Sequence, residues 1–172
     1  MLLLSAVSVS AQNDEQIIRK GNRNYRRGNY TEAEAYYRKV LEEHPENVKA
    51  LFNLGDALFG QKNYDAAIET FQKVVDMSAD DKLRSNAAYN KGNCLLEQGK
   101  YYEAFGVYKD ALAINPDNED ALYNLEYCRA HLVKSKIFVD PQIEHGRVEA
   151  NKTEAINGQL VKLSNKCLMC MA

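Results

Sequence analysis

Residues 51–71 read LFNLGDALFGQKNYDAAIETF, and this stretch decides the fold. Leu51, Leu54, Gly55 and Leu58 fall at i, i+3, i+4 and i+7, the spacing of one face of an α-helix. Lys62-Asn63-Tyr64 interrupts the pattern, and a second helical face follows with Ala67 and Phe71. So short a break predicts two antiparallel helices, and the small residues Gly55 and Ala67 let them approach closely.

The pattern recurs on both sides. Residues 14–47 read DEQIIRKGNRNYRRGNYTEAEAYYRKVLEEHPEN and residues 48–81 read VKALFNLGDALFGQKNYDAAIETFQKVVDMSADD. Gly21 matches Gly55, Asn29-Tyr30 matches Asn63-Tyr64, Ala33 matches Ala67 and Tyr37 matches Phe71, each 34 residues apart. A third copy, residues 85–118, places Gly92, Tyr101, Ala104 and Tyr108 at the same points. Gly55 and Gly92 are 37 apart, so three residues are inserted around Ser78–Leu83. Pro45 and Pro116 close the first and third copies. Asn29 and Asn63 are expected to cap the second helices with their side chains. Gly28 and Gly99 suit the turns before those helices.

A 34-residue period with this Gly…Tyr…Ala…Phe/Tyr…Pro order resembles the tetratricopeptide repeat family. The resemblance covers about residues 14–134 and departs from the family pattern at Lys20, Lys91 and Ala79. It implies an all-α, right-handed superhelical solenoid of three helix-turn-helix units, 14–47, 48–81 and 85–118. A closing helix over 119–134 follows, where Leu122 and Leu125 continue the pattern but Glu126 replaces the glycine. The aromatics Tyr37, Phe71 and Tyr108 are expected to fill the wedge toward the next unit.

The family register implies a concave face lined by the first helices. On it stand Asn22 and Tyr25, then Lys49, Phe52, Asn53, Asp56 and Phe59, then Asn86, Tyr89, Asn90 and Asn93, then Tyr123, Asn124 and Tyr127. Asn53, Asn90 and Asn124 occupy one structural position, with the aromatic column Phe52, Tyr89 and Tyr123 beside them. Asparagine offers both a donor and an acceptor to a peptide backbone. The groove residues are therefore Asn22, Phe52, Asn53, Asp56, Tyr89, Asn90, Asn93, Tyr123, Asn124 and Tyr127. Their expected ligand is a peptide or helix of a partner protein. Some family members clamp a chaperone's C-terminal carboxylate with two asparagines flanked by cations. Asn22 and Asn53 match that pair, but Ile18, Asn86 and Asn90 stand where the cations belong, so charge-assisted bonds to a carboxylate are missing.

Composition agrees with a binding role. The chain of 172 residues is 45% hydrophobic and 27% charged, with net charge −2, which gives no support for a nucleic-acid partner. One helix is locally basic through Arg19, Lys20, Arg23, Arg26 and Arg27, either paired with Glu32, Glu34, Glu42 and Glu43 of its partner helix or free for an acidic partner. No nucleophile stands beside a base, no glycine-rich phosphate loop appears and no metal-ligand cluster forms, so no catalytic residue, metal or cofactor is expected. Cys94 and Cys128 sit at equivalent helical positions and read as small, half-buried apolar residues. Cys167-x-x-Cys170 is a weak redox or metal signal.

Residues 1–11 begin MLLLSAVSV, apolar and without a basic start, and Val9 and Ala11 obey the small-residue rule for cleavage before Gln12. This start is too short to span a bilayer and predicts an exported chain, or a cytoplasmic one if it is not a signal. The layout resembles the exported repeat proteins of bacterial aerotolerance (Bat) operons, which implies a periplasmic or envelope-associated scaffold with partners bearing von Willebrand A-type domains. The alternative is a structural module that stacks end to end. Residues 137–172 lose the repeat pattern.

Overall fold

The computed structural model describes residues 3–134. They form seven helices: α1 (Leu3–Tyr25), α2 (Tyr30–Glu43), α3 (Val48–Gly60), α4 (Tyr64–Met77), α5 (Asp81–Glu97), α6 (Tyr101–Ile114) and α7 (Glu119–Lys134). Among the described residues there is no strand. Consecutive helices pack on one another, giving three pairs closed by α7, an all-α array as expected. No helix among the described residues is long and apolar enough to cross a membrane. The tail from 137 on, with Cys167 and Cys170, lies outside the described residues.

Each pair is closed by one tight connection. The Asn29 N–H donates to the Asn24 carbonyl and the Gly28 N–H to the Tyr25 carbonyl, the two bonds of a Schellman motif. The same pair of bonds recurs through Asn63 and Lys62, and again through Lys100 and Gly99. The motif needs a left-handed residue at its centre. Gly28 (φ 78°) and Gly99 (φ 74°) meet that need without strain, whereas the middle unit places Lys62 there at φ 61°.

This closure corrects the expectation for the helix caps. Asn29 and Asn63 occupy the N-cap positions of α2 and α4, yet neither side chain makes a capping bond. Their backbone stays tied to the preceding helix, with ψ near 69° rather than the extended value that side-chain capping favours. The caps form instead at the looser junctions between pairs. The Asn47 side chain accepts from the Ala50 N–H, Asp80 from the Lys82 and Leu83 N–H groups, and Asn118 from the Ala121 N–H. The extra residues of the third unit lengthen its first helix: α5 has 17 residues where α3 has 13.

The recurring glycines and aromatics meet. Tyr37, Phe71 and Tyr108 lie on Gly21, Gly55 and Gly92 of their own units, and the Tyr108 hydroxyl also accepts from the Asn124 amide of α7 at 3.3 Å. The hollow left by a missing Cβ lies inside the pair, so the ring that fills it comes from the partner helix. The junction between units is made by the first residue of each second helix. Tyr30 packs on Gly60, the Tyr64 hydroxyl lies 3.5 Å from Glu97, and Tyr101 stacks on His131 at 3.7 Å between ring centroids. Polar bonds follow the same step, from Gln61 to Glu34 and from Gln98 to Asp65.

The core runs along the stack through Ile18, Tyr37, Leu54, Leu58, Phe71 and Val74, then Leu95, Tyr108 and Leu132. Each fully buried side chain of this size contributes about 1.5–3 kcal/mol relative to exposure. Cys94 and Cys128 are fully buried rather than half-buried, and burial pushes their thiols up to about 12 and about 11. Both are inert core residues at neutral pH. At the first junction the His44 imidazole, at the end of α2, lies 2.7 Å from the Asp14 carboxylate on α1.

Candidate binding groove

The first helices also touch one another directly, α1 with α3 and α3 with α5. In a curved stack the crowded row lies on the inside of the bend. The wall formed by α1, α3, α5 and α7 is therefore the concave face, and it carries the residues that the repeat register assigns to it.

Those residues are bonded to each other across the units. The Asn53 amide donates to Asn22 Oδ1 at 3.1 Å, Asn90 to Asp56 Oδ1 at 3.0 Å, and Asn124 to Asn93 Oδ1 at 2.8 Å. One rung thus joins each first helix to the next, and in every rung the donor sits on the later unit. The outer two rungs have a third member from behind. The Tyr37 hydroxyl donates to Asn22 Oδ1 and the Tyr108 hydroxyl to Asn93 Oδ1, each at 2.7 Å. Burial raises the Tyr37 phenol to about 12 and moves Tyr108 upward as well, so both remain donors. Sequence reading missed these tyrosines as groove residues. The signal was present in the series Tyr37, Phe71, Tyr108 set against Asn22, Asp56, Asn93.

The middle rung differs twice. Phe71 has no hydroxyl, and the acceptor is the carboxylate Asp56. Among the described residues it accepts one side-chain hydrogen bond, from Asn90, and burial, partly opposed by that bond, pushes its carboxyl up to about 7. Asp56 faces a cavity of about 210 Å³ lined also by Asn22, Tyr25, Arg26, Tyr37 and Asn53.

The aromatic column has graded exposure. Phe52 is half-buried edge-on against Phe71, with ring centroids 5.7 Å apart, and Tyr89 lies against Tyr108 at 6.0 Å. Tyr123 is 47% and Tyr127 49% exposed, the latter beside Tyr101. On α1, Gln16, Arg19, Lys20, Asn22, Arg23 and Arg26 line a shallow cleft of about 430 Å³. Its cations do not pair with the acidic residues of α2. Arg19 pairs with Glu15 on its own helix, and Lys49 of α3 also reaches Glu15 at 2.9 Å. Among the described residues no group of three or more His, Cys, Asp or Glu side chains is placed to hold a metal ion.

Comparison with known proteins places this geometry. Models of the tetratricopeptide repeat match residues 18–82 and 92–125. A tetratricopeptide repeat and J domain-containing co-chaperone of Fusarium oxysporum is 31% identical over 100 residues, covering 56% of this chain and 19% of its own. The protein y4yS of Sinorhizobium fredii is 29% identical over 140 residues, 81% of this chain and 71% of its own. The chain therefore spans about a fifth of the co-chaperone it matches. Among solved structures, the Sgt2 repeat domain of Aspergillus fumigatus superposes with a TM-score of 0.65 at 19% identity, covering 75% of this chain and 85% of that one. The first repeat domain of Spaghetti (RPAP3), solved with an HSP90 peptide, gives 0.63 at 24% identity, covering 71% and 94%. Residues 18–82 and 92–125 belong to the tetratricopeptide repeat family.

Proposed function

We propose that this chain is a non-catalytic interaction scaffold whose concave wall receives an extended segment or a helix of a partner protein. The observation that carries this reading is the aromatic column Phe52, Tyr89 and Tyr123, presented along one wall beside a bonded amide ladder. Aromatic rings with polar neighbours suit a partner that brings both apolar side chains and backbone groups. Structural neighbours solved with HSP90 and HSP70 peptides support a peptide as ligand. They do not support a chaperone tail here. Ile18, where that clamp places a lysine, is 2% exposed and in the core, and Asn90 is bonded to Asp56.

The setting is a bacterial cell envelope, with partners that carry von Willebrand A-type domains. The apolar start and the repeat layout support that setting. The test is site-specific photo-crosslinking in the native host. A crosslinker at Tyr123 in the groove should capture a discrete partner, and one at Tyr102 on α6, 63% exposed, should not. Equal capture from both positions, or none from Tyr123, refutes the groove.

A second reading, end-to-end stacking, is favoured by one observation. Leu122, Tyr127 and Val133 leave exposed apolar surface on the closing helix α7. It predicts a mass that rises with concentration in light scattering, and a strictly monomeric chain refutes it.

A further inference from the structure

The middle rung of the ladder is the one place where the repeat breaks its own bonding rule. In the first and third units the rung acceptor is a neutral amide oxygen that receives two donors, an asparagine N–H from the next unit and a tyrosine O–H from its own. In the second unit the acceptor is the Asp56 carboxylate, and Phe71 removes the second donor. A carboxylate accepts up to about four hydrogen bonds, and Asp56 has one. The demand for donors rises where the supply falls, and the shortfall opens on a cavity rather than on packed side chains.

The rest of that cavity says what fits. Tyr25 and Tyr37 supply aromatic rings, whose faces attract cations. Asn22 and Asn53 line the wall as rung partners. Arg26 stands exposed at the edge and forms no ion pair with Asp56. Its charge weakens the site for any cation, so a free ion gains little there. A cation must arrive tethered to a chain that the remaining groove holds.

We propose that Asp56 is a specificity site for a basic side chain of the partner, a lysine or arginine of the bound segment, whose N–H groups supply the donors that the middle rung lacks. This rests on the groove reading and adds the chemistry of the segment it holds. Charge-assisted bonds of this kind are about twice as strong as neutral ones.

The experiment uses the full chain and acetylated, amidated hexapeptide mixtures, each with one fixed residue. Mixtures fixed as lysine or arginine should be retained about tenfold more than those fixed as norleucine or glutamate. Asp56→Asn should abolish that preference, because it removes the charge while keeping an amide oxygen to accept from Asn90. Arg26→Gln should strengthen the preference.

The preference should weaken as pH falls from 8 to 6, since burial pushes Asp56 up to about 7. Around it stand the charged Arg26 of α1 and three groups whose pKa burial pushes upward, Tyr25 of α1, Tyr37 of α2 and Cys94 of α5, so these three stay protonated in that range. Retention without a basic preference, or a basic preference that survives Asp56→Asn, overturns the assignment and leaves the groove standing. No retention of any mixture overturns the groove and this site with it.

Discussion

Gly55→Ala is the sharpest perturbation of the packing described above. A Cβ built on Gly55 would lie 2.6 Å from Phe71 Cε1 and 2.8 Å from both Cδ1 and Cζ. Carbon atoms pack best at about 3.5–4.0 Å, so the ring must retreat by about 1 Å. Phe71 is fully buried and lies edge-on to Phe52, so it has little room to retreat. Overpacking of this kind costs about 1–3 kcal/mol. Disturbing the aromatic pair adds about 0.5–1.5 kcal/mol. Against this stands the helix propensity of alanine over glycine, about 1 kcal/mol in favour of the variant. The net expectation is a loss of about 1–3 kcal/mol.

Gly106 provides the control. It lies in the middle of α6, exposed, with nothing within 4 Å of its would-be Cβ. Gly106→Ala should therefore stabilise the chain by about 0.5–1 kcal/mol, the propensity effect alone. Urea unfolding followed by far-UV circular dichroism should move the midpoint down for Gly55→Ala and up for Gly106→Ala, with m unchanged. In a Phe71→Leu background the cost of Gly55→Ala should shrink by at least about 1 kcal/mol. A midpoint that rises for both glycines, or strict additivity with Phe71→Leu, refutes the ring-on-glycine account.

Three further outcomes follow from single positions. Lys62→Gly relieves the left-handed backbone at φ 61° and should raise stability by about 1 kcal/mol in the same assay; no gain would mean the turn carries no strain. Asn47→Ala and Asp80→Ala should each lose about 1 kcal/mol, while Asn29→Ala and Asn63→Ala stay within about 0.5 kcal/mol of the parent. Equal losses at all four would contradict the cap assignment. Burial raises Asp56 from 3.8 to about 7, so between those values the folded chain holds a proton that the unfolded chain has released. Stability from this group is therefore present at low pH and falls as pH rises from about 4 to about 7, by on the order of a few kcal/mol. Glu15 and Glu34 shift downward and act in the opposite sense, so the quantity to measure is the parent minus Asp56→Asn difference across that range.

The repeat was legible because its determinants are local and periodic. Gly21, Gly55 and Gly92, with their Ala and aromatic partners, must recur for any unit to pack, and one spacing reveals all three. The side-chain caps were not legible, because the same residue serves two purposes. Asn29, Asn63 and Asn47 look alike in sequence, and only the Schellman closure, which sets ψ near 69° at the first two, separates them. The rungs escaped for a different reason. Register shows that Asn53 and Asn22 share a wall, but whether their amides face a ligand or each other depends on how closely α1 and α3 approach.

That approach changes what the concave wall offers a partner. Each asparagine in the register column already gives an N–H to the preceding unit, and a typical bond of this kind contributes about 0.5–1.5 kcal/mol. A peptide that took over those donors would loosen the joints between units while it bound, and its gain would be largely offset. Groups not committed to the stack are better placed to discriminate. Tyr123 is half exposed at the far end, and Asp56 in the middle has one donor where its neighbours' acceptors have two. The ladder therefore fixes the curvature of the wall, and recognition falls to the positions where the ladder is incomplete.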